Sequence, residues 1–169
     1  MPEDIYKTLV EKARLKGIRT MLDTSGESLR KGIEAKPYFI KPNQKELEYI
    51  AGHKLVNRED VIDAAIEVHR RGIGHVVVSM GKNGLLYVCS GGVVYYAKAE
   101  NIQALNTVGC GDCAVASFAM SFMKKDSKEE AVRRAAAISA ANATTLNCVD
   151  VPFGTAEELY ESITVEKLR

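Results

Sequence analysis

The sequence predicts an α/β fold: a mostly parallel sheet with helices on both faces. Three observations predict it. Helical and strand-like patterns alternate from the start of the chain to about residue 80. A β-branched stretch at 75–99 is then punctuated by glycine turns. Two long helical patterns and one short one follow.

The elements read in order. Residues 3–16 form an amphipathic helix with Ile5, Leu9, Val10 and Ala13 on one face, closed by Gly17. IRTMLD (18–23) reads as a short buried strand, followed by a helix at about 26–35 and the strand YFIK (38–41). Pro42 breaks that strand, and 43–52 is a short helix closed by Gly52. Asn57 caps the clearest helix, running to Gly72, with Val61, Ile62, Ala65, Val68 and His69 on one face. HVVVSM (75–80), LLYVCS (85–90) and VVYYAKA (93–99), joined by KNG and Gly91-Gly92, predict an edge β-meander. Helices are expected at about 110–124, with Ala114, Val115, Phe118, Ala119 and Phe122 sharing a face, and at 128–146. Ser127–Glu130 reads as a capping box for the second, and Thr155–Glu158 as another for a last helix near 156–163. No repeat or linker divides the chain, so 1–169 reads as one domain. The opening helix has no strand before it, which suggests a cut through a larger fold.

Bulk properties exclude several classes. Hydrophobic residues make up 46% and charged residues 27%, enough apolar material for a core. A net charge of +1 gives no basic field for nucleic acid. No run approaches the roughly 20 apolar residues of a membrane helix. The acidic, polar start lacks the apolar core of a signal peptide, and Cys89, Cys110, Cys113 and Cys148 read as reduced thiols in a cytoplasmic protein.

Four segments carry candidate chemistry. In Asn106–Cys113 (NTVGCGDC) a glycine turn runs into a helix, presenting unpaired N–H groups and the positive end of the dipole to an anion. Asp112 in the first turn suits a base for an attacking hydroxyl; it also suits simple dipole complementation, and spacing alone leaves both open. In Lys41–Glu46 (KPNQKE), Asn43 and Glu46 suit a hydrated Mg²⁺, but N-x-x-E is also a capping box. Val78–Leu85 (VSMGKNGL) permits close approach of a flat ligand or a plain hairpin turn. The small residues of 135–145, with Asn142 as polar handle, suit close helix packing or a slot for a base. Cys110-Gly-Asp-Cys113 also matches a C-x-x-C dithiol, although no second cysteine pair exists for zinc. The three histidines do not cluster.

Taken in order, Asp23-Thr-Ser-Gly26, Lys41-Pro-Asn-x-x-Glu46, Ser79-Met-Gly-x-x-Gly84, Thr107–Asp112 and the small-residue helix resemble the PfkB carbohydrate kinases. The sequence is most similar to their sugar-phosphate branch: 1-phosphofructokinase, tagatose-6-phosphate kinase and the minor 6-phosphofructokinase isozyme. The resemblance implies the C-terminal half of a ribokinase-like three-layer α/β/α sandwich without its lid. It also implies ATP and Mg²⁺ as cofactors and a sugar phosphate as acceptor (fructose-1-phosphate, fructose-6-phosphate or tagatose-6-phosphate). It implies Asp112 as catalytic base and the amides of Gly109, Cys110 and Gly111 as anion hole. Asn43 and Glu46 would serve magnesium, and Lys41, Ser79, Gly81, Gly84, Thr107 and Asn142 the nucleotide side. Cys110 stands where the family usually has alanine or serine. The family's N-terminal half, with its lid and most sugar-binding groups, has no counterpart here, and an uncovered sheet edge implies a tendency to form homo-oligomers. The alternatives are a non-catalytic nucleotide-binding or structural fragment derived from such a kinase, and, more remotely, a dithiol redox protein.

Overall fold

A computed structural model describes residues 3–169. Its helices are α1 (Ile5–Leu15), α2 (Gly26–Glu34), α3 (Gln44–Ala51), α4 (Arg58–Arg70), α5 (Cys110–Lys124), α6 (Lys128–Ala143) and α7 (Phe153–Ser162). Its strands are β1 (Met21–Leu22), β2 (Phe39–Ile40), β3 (His75–Ser79), β4 (Leu85–Cys89), β5 (Val93–Ala97) and β6 (Val165–Lys167). They form a sheet in the order β1-β2-β3-β4-β5-β6. The β1–β2 and β2–β3 pairs are parallel, with Met21 opposite Phe39 and Ile40 opposite Val76. The antiparallel β5–β6 pair sets Tyr96 opposite Glu166. The fold is mixed α/β, as the alternation of patterns predicts.

The chain divides into two compact units, residues 1–80 with 86–94 and 169, and residues 81–85 with 95–168. In the first, the helices cover buried strands: Phe39, Ile40, Val76, Val77 and Val78 are fully excluded from solvent. A strand buried on both faces reads as a continuous apolar run, which is why HVVVS shows no alternation. Asn57 and Asn43 each complete a capping box, and Gly52 closes α3 in the left-handed region with φ 79°. β1 and β2 are only two residues long, shorter than the sequence suggests. Pro42 ends β2 because it cannot extend a ladder, although an isolated parallel bridge still joins Asn43 to Ser79.

In the second unit α6 lies between α5 and α7. Its buried Ala131, Ala135, Ala136 and Ala141 permit close approach, so the close-packing reading of this helix holds. The buried stripe of α5 is Cys113, Ala114, Ser117, Phe118 and Ser121, shifted toward smaller residues from the expected face; Val115, Ala119 and Phe122 are only partly buried. Helix α6 ends at Ala143 rather than near 146. There the hydroxyls of Thr144 and Thr145 donate to the carbonyls of Ala141 and Asn142, and the Leu105 amide takes that of Ala143. The Ser127–Glu130 box forms as expected. The expected Thr155–Glu158 box does not: α7 starts earlier, at Phe153, behind Pro152, and Thr155 lies inside it. Proline's fixed φ opens that helix without a side-chain cap. Strand β6 was not legible in the sequence, because three partly polar residues carry no periodic signal and form a strand only against β5.

Candidate active site

The second unit carries the glycine turn. Gly109 is the N-terminal cap of α5 with φ 83° and ψ −11°, a conformation that favours glycine. A Cβ at Gly109 would lie 2.8 Å from Val149 Cγ2 and 2.9 Å from Cys148 Sγ, so steric room also demands glycine. Among the described residues, the amides of Gly109, Gly111 and Asp112 find no acceptor, whereas that of Cys110 reaches the Thr107 carbonyl at 3.3 Å. Three donors without acceptors stand at the start of a 15-residue helix, where geometry and dipole together favour an anion. Asp112 is exposed and sits in that first turn.

The turn is held from both sides. Asn106 Oδ1 accepts from the Val108 amide at 2.9 Å, and Asn106 Nδ2 donates to the Leu146 carbonyl at 2.9 Å. Ser139 Oγ donates to the Cys110 carbonyl at 3.0 Å. Asn142 is completely buried, and its Nδ2 donates to the Val108 carbonyl at 3.0 Å and to Cys110 Sγ at 3.3 Å. Thr107, Gly109, Cys110, Gly111, Asp112 and Asn142 are thus brought together. Cys113 is buried, and that burial, helped by nearby Cys110, Asp112 and Cys148, pushes its thiol pKa up.

Gly81 and Gly84 lie in the turn after β3, where the Gly84 amide donates to the Gly81 carbonyl at 3.0 Å. Gly84 has φ 83°, and its missing Cβ makes room for the Ala97 carbonyl, so the hairpin's own backbone requires it. Gly81 faces open space.

In the first unit, the C-terminal ends of β1, β2 and β3 gather polar groups, the position at which parallel sheets bind ligands. The Ser79 amide donates to the Pro42 carbonyl at 3.0 Å, which sets Ser79 beside Lys41–Asn43. Lys41 is buried and pairs with Asp23 at 3.4 Å. Asp23 stands in the sequence as the start of the Asp23–Gly26 motif, but its pairing with Lys41 was not legible there, because a pair across two strand ends leaves no local pattern. Asn43 Oδ1 accepts from the Glu46 amide at 2.9 Å, and Glu46 Oε2 accepts from the Asn43 amide at 2.8 Å. The capping box is therefore formed. The second oxygen of Glu46 has no partner among the described residues, so the pair still fits a magnesium ion held through its waters. No cluster of three or more His, Cys, Asp or Glu suited to direct metal ligation occurs among the described residues.

Fold and turn together define a class first: a ribokinase-like α/β protein in which a glycine turn opens helix α5. The family follows from comparison. The model of the pfkB family of carbohydrate kinases matches residues 1–153, and the chain belongs to that family. It is 40% identical to the 1-phosphofructokinase of Haemophilus influenzae over 124 residues, covering 73% of this chain and 40% of that one. A crystal structure of a putative phosphofructokinase from Staphylococcus aureus superposes with TM-score 0.90 at 26% identity, covering 99% of this chain and 54% of that one. Phosphofructokinase-2 from Escherichia coli, in complex with potassium, superposes with TM-score 0.89 at 29% identity over 96% of this chain and 53% of that one. The matched stretch of the chain thus covers about two fifths of the length of this curated relative. Among the described residues no helix is long and apolar enough to cross a membrane.

Proposed function

We propose that this chain supplies the ATP side, anion hole and base of a kinase that phosphorylates a hydroxyl of a sugar phosphate. The observation that carries the reading is the turn at 109–112, where three amides without acceptors occur in the same turn as a first-turn carboxylate. Asp112 takes the proton of the acceptor hydroxyl as it attacks the γ-phosphoryl group. The amides of Gly109, Gly111 and Asp112 hold the charge that develops on the transferring oxygens, whereas that of Cys110, expected in the hole, is engaged by the Thr107 carbonyl. Lys41, Ser79, Gly81, Gly84 and Thr107 serve the nucleotide. Asn43 and Glu46 are the residues that would hold Mg²⁺, which supplies charge neutralisation on the phosphates.

Fructose-1-phosphate is the first acceptor to test, because the relative at 40% identity is a 1-phosphofructokinase. The assay is coupled ADP release by a protein of full family length carrying this sequence. Fructose-1-phosphate, fructose-6-phosphate and tagatose-6-phosphate are offered separately. Turnover with the first alone is expected; turnover with another reassigns the acceptor. ADP release with none of the three leaves a non-catalytic nucleotide-binding role.

A further inference from the structure

We propose that Asn142 is a positioning residue that keeps the anion turn open by capturing the carbonyl of Val108. The proposal rests on the kinase reading above and gives Asn142 a role other than nucleotide contact. Its side chain is fully excluded from solvent and donates to Val108 O at 3.0 Å and Cys110 Sγ at 3.3 Å. Val108 lies four residues before Asp112, so its carbonyl is the natural acceptor for the Asp112 amide if α5 were to begin a residue earlier. That bond is not made. Asn142 holds the carbonyl, Asn106 Oδ1 holds the Val108 amide at 2.9 Å, and the Asp112 donor stays available.

The other end of the carboxamide supports this role. Asn142 Oδ1 is buried without a partner among the described residues. An unpaired buried acceptor is costly, so the group is there for its donor. Reversing the amide would set Oδ1 against the Val108 carbonyl, two acceptors face to face, so the network fixes the orientation. Release of Val108 O lets the peptide turn onto the Asp112 amide, adding a bond to the helix and removing a donor from the hole.

The test uses a protein of full family length carrying this sequence, with Asn142→Ser and Asn142→Asp. Removing the captor is expected to lower kcat about tenfold to a hundredfold, near or below the cost of losing one oxyanion donor. KM for ATP is expected to stay within about twofold, since the donor acts on developing charge. Hydrogen exchange at the Asp112 amide should slow in both variants as it gains the Val108 carbonyl. A raised KM for ATP with kcat retained means nucleotide contact and overturns the proposal, as does an Asp112 amide whose exchange is unchanged. Should neither variant fold, the unaltered protein decides: the Asn142 side-chain NH₂ resonances should be protected from exchange and unmoved by ATP. A direct ATP-induced shift there sinks the idea. If the unaltered protein phosphorylates no sugar phosphate, the kinase reading fails, while amide exchange still settles what Asn142 holds.

Discussion

At the scale of single residues, Asp112 is the base proposed for phosphoryl transfer. In a protein of full family length carrying this sequence, Asp112→Asn should lower kcat about a hundredfold or more, the usual scale for a lost general base. KM for ATP should barely move, and normal turnover by the variant would remove Asp112 from the mechanism. Glu46 is a sharper case, because its capping role is visible while its metal role is proposed. Glu46→Gln keeps an oxygen for the Asn43 amide, so thermal stability should stay nearly constant. The magnesium concentration needed for half-maximal rate should rise; an unchanged titration leaves only the cap. The thiols make a pH prediction. Cys113 ionises above its ordinary value near 9 because burial disfavours the thiolate. The stability gained from keeping it neutral is full below that value and fades as pH rises through the raised one. Between about pH 8 and 9, a thiol reagent should therefore label exposed Cys148 well before Cys113; equal rates would contradict the burial. Asp112 and its glycines were legible in sequence because a turn, a helix start and a carboxylate are all local. The commitment of Asn142 was not, since its acceptor lies 34 residues away.

At the scale of elements, the turn into α5 is the part most exposed to failure. Gly109→Ala places a methyl group against Val149 and Cys148 at a φ of 83°. The strain and the clash together should cost about 2 kcal/mol or more, read as a lower denaturant midpoint. Activity should fall further than stability, because the same change displaces the donors. A variant with unaltered midpoint and rate would show that the turn does not need glycine. Local signals predicted the elements well where caps were present: Asn43, Asn57 and Ser127 all close boxes. They failed at Thr155, where the same letters lie inside a helix opened by Pro152. They also failed at β6, which is made by its neighbour and not by its own pattern.

At the scale of the whole molecule, the 169-residue chain on its own should release no useful ADP with any of the three hexose phosphates. In-line transfer depends on holding donor and acceptor together, and this sequence offers no recognisable clamp for the sugar. Among the described residues β1 ends the strand order, and an edge strand favours association wherever it is left unpaired. If the chain works within a kinase of full family length, as proposed, the segment of that length outside it, added as a separate chain, should raise both solubility and rate; robust turnover by the chain alone would mean that the sugar site lies within it. The alternation that defines the fold class was legible from β-branched runs and helix caps. The division into two units was not, because it follows from contacts between segments far apart in sequence.

That division has a consequence for inheritance. The chain passes from one unit to the other at 80/81, 85/86, 94/95 and 168/169. Neither unit is a continuous stretch, so no single recombination event can lift one out as a cassette and graft it onto another gene. Duplication, fusion or shuffling must carry both units or disrupt both. The residues proposed for magnesium and the proposed base, which lie in different units, are therefore inherited together.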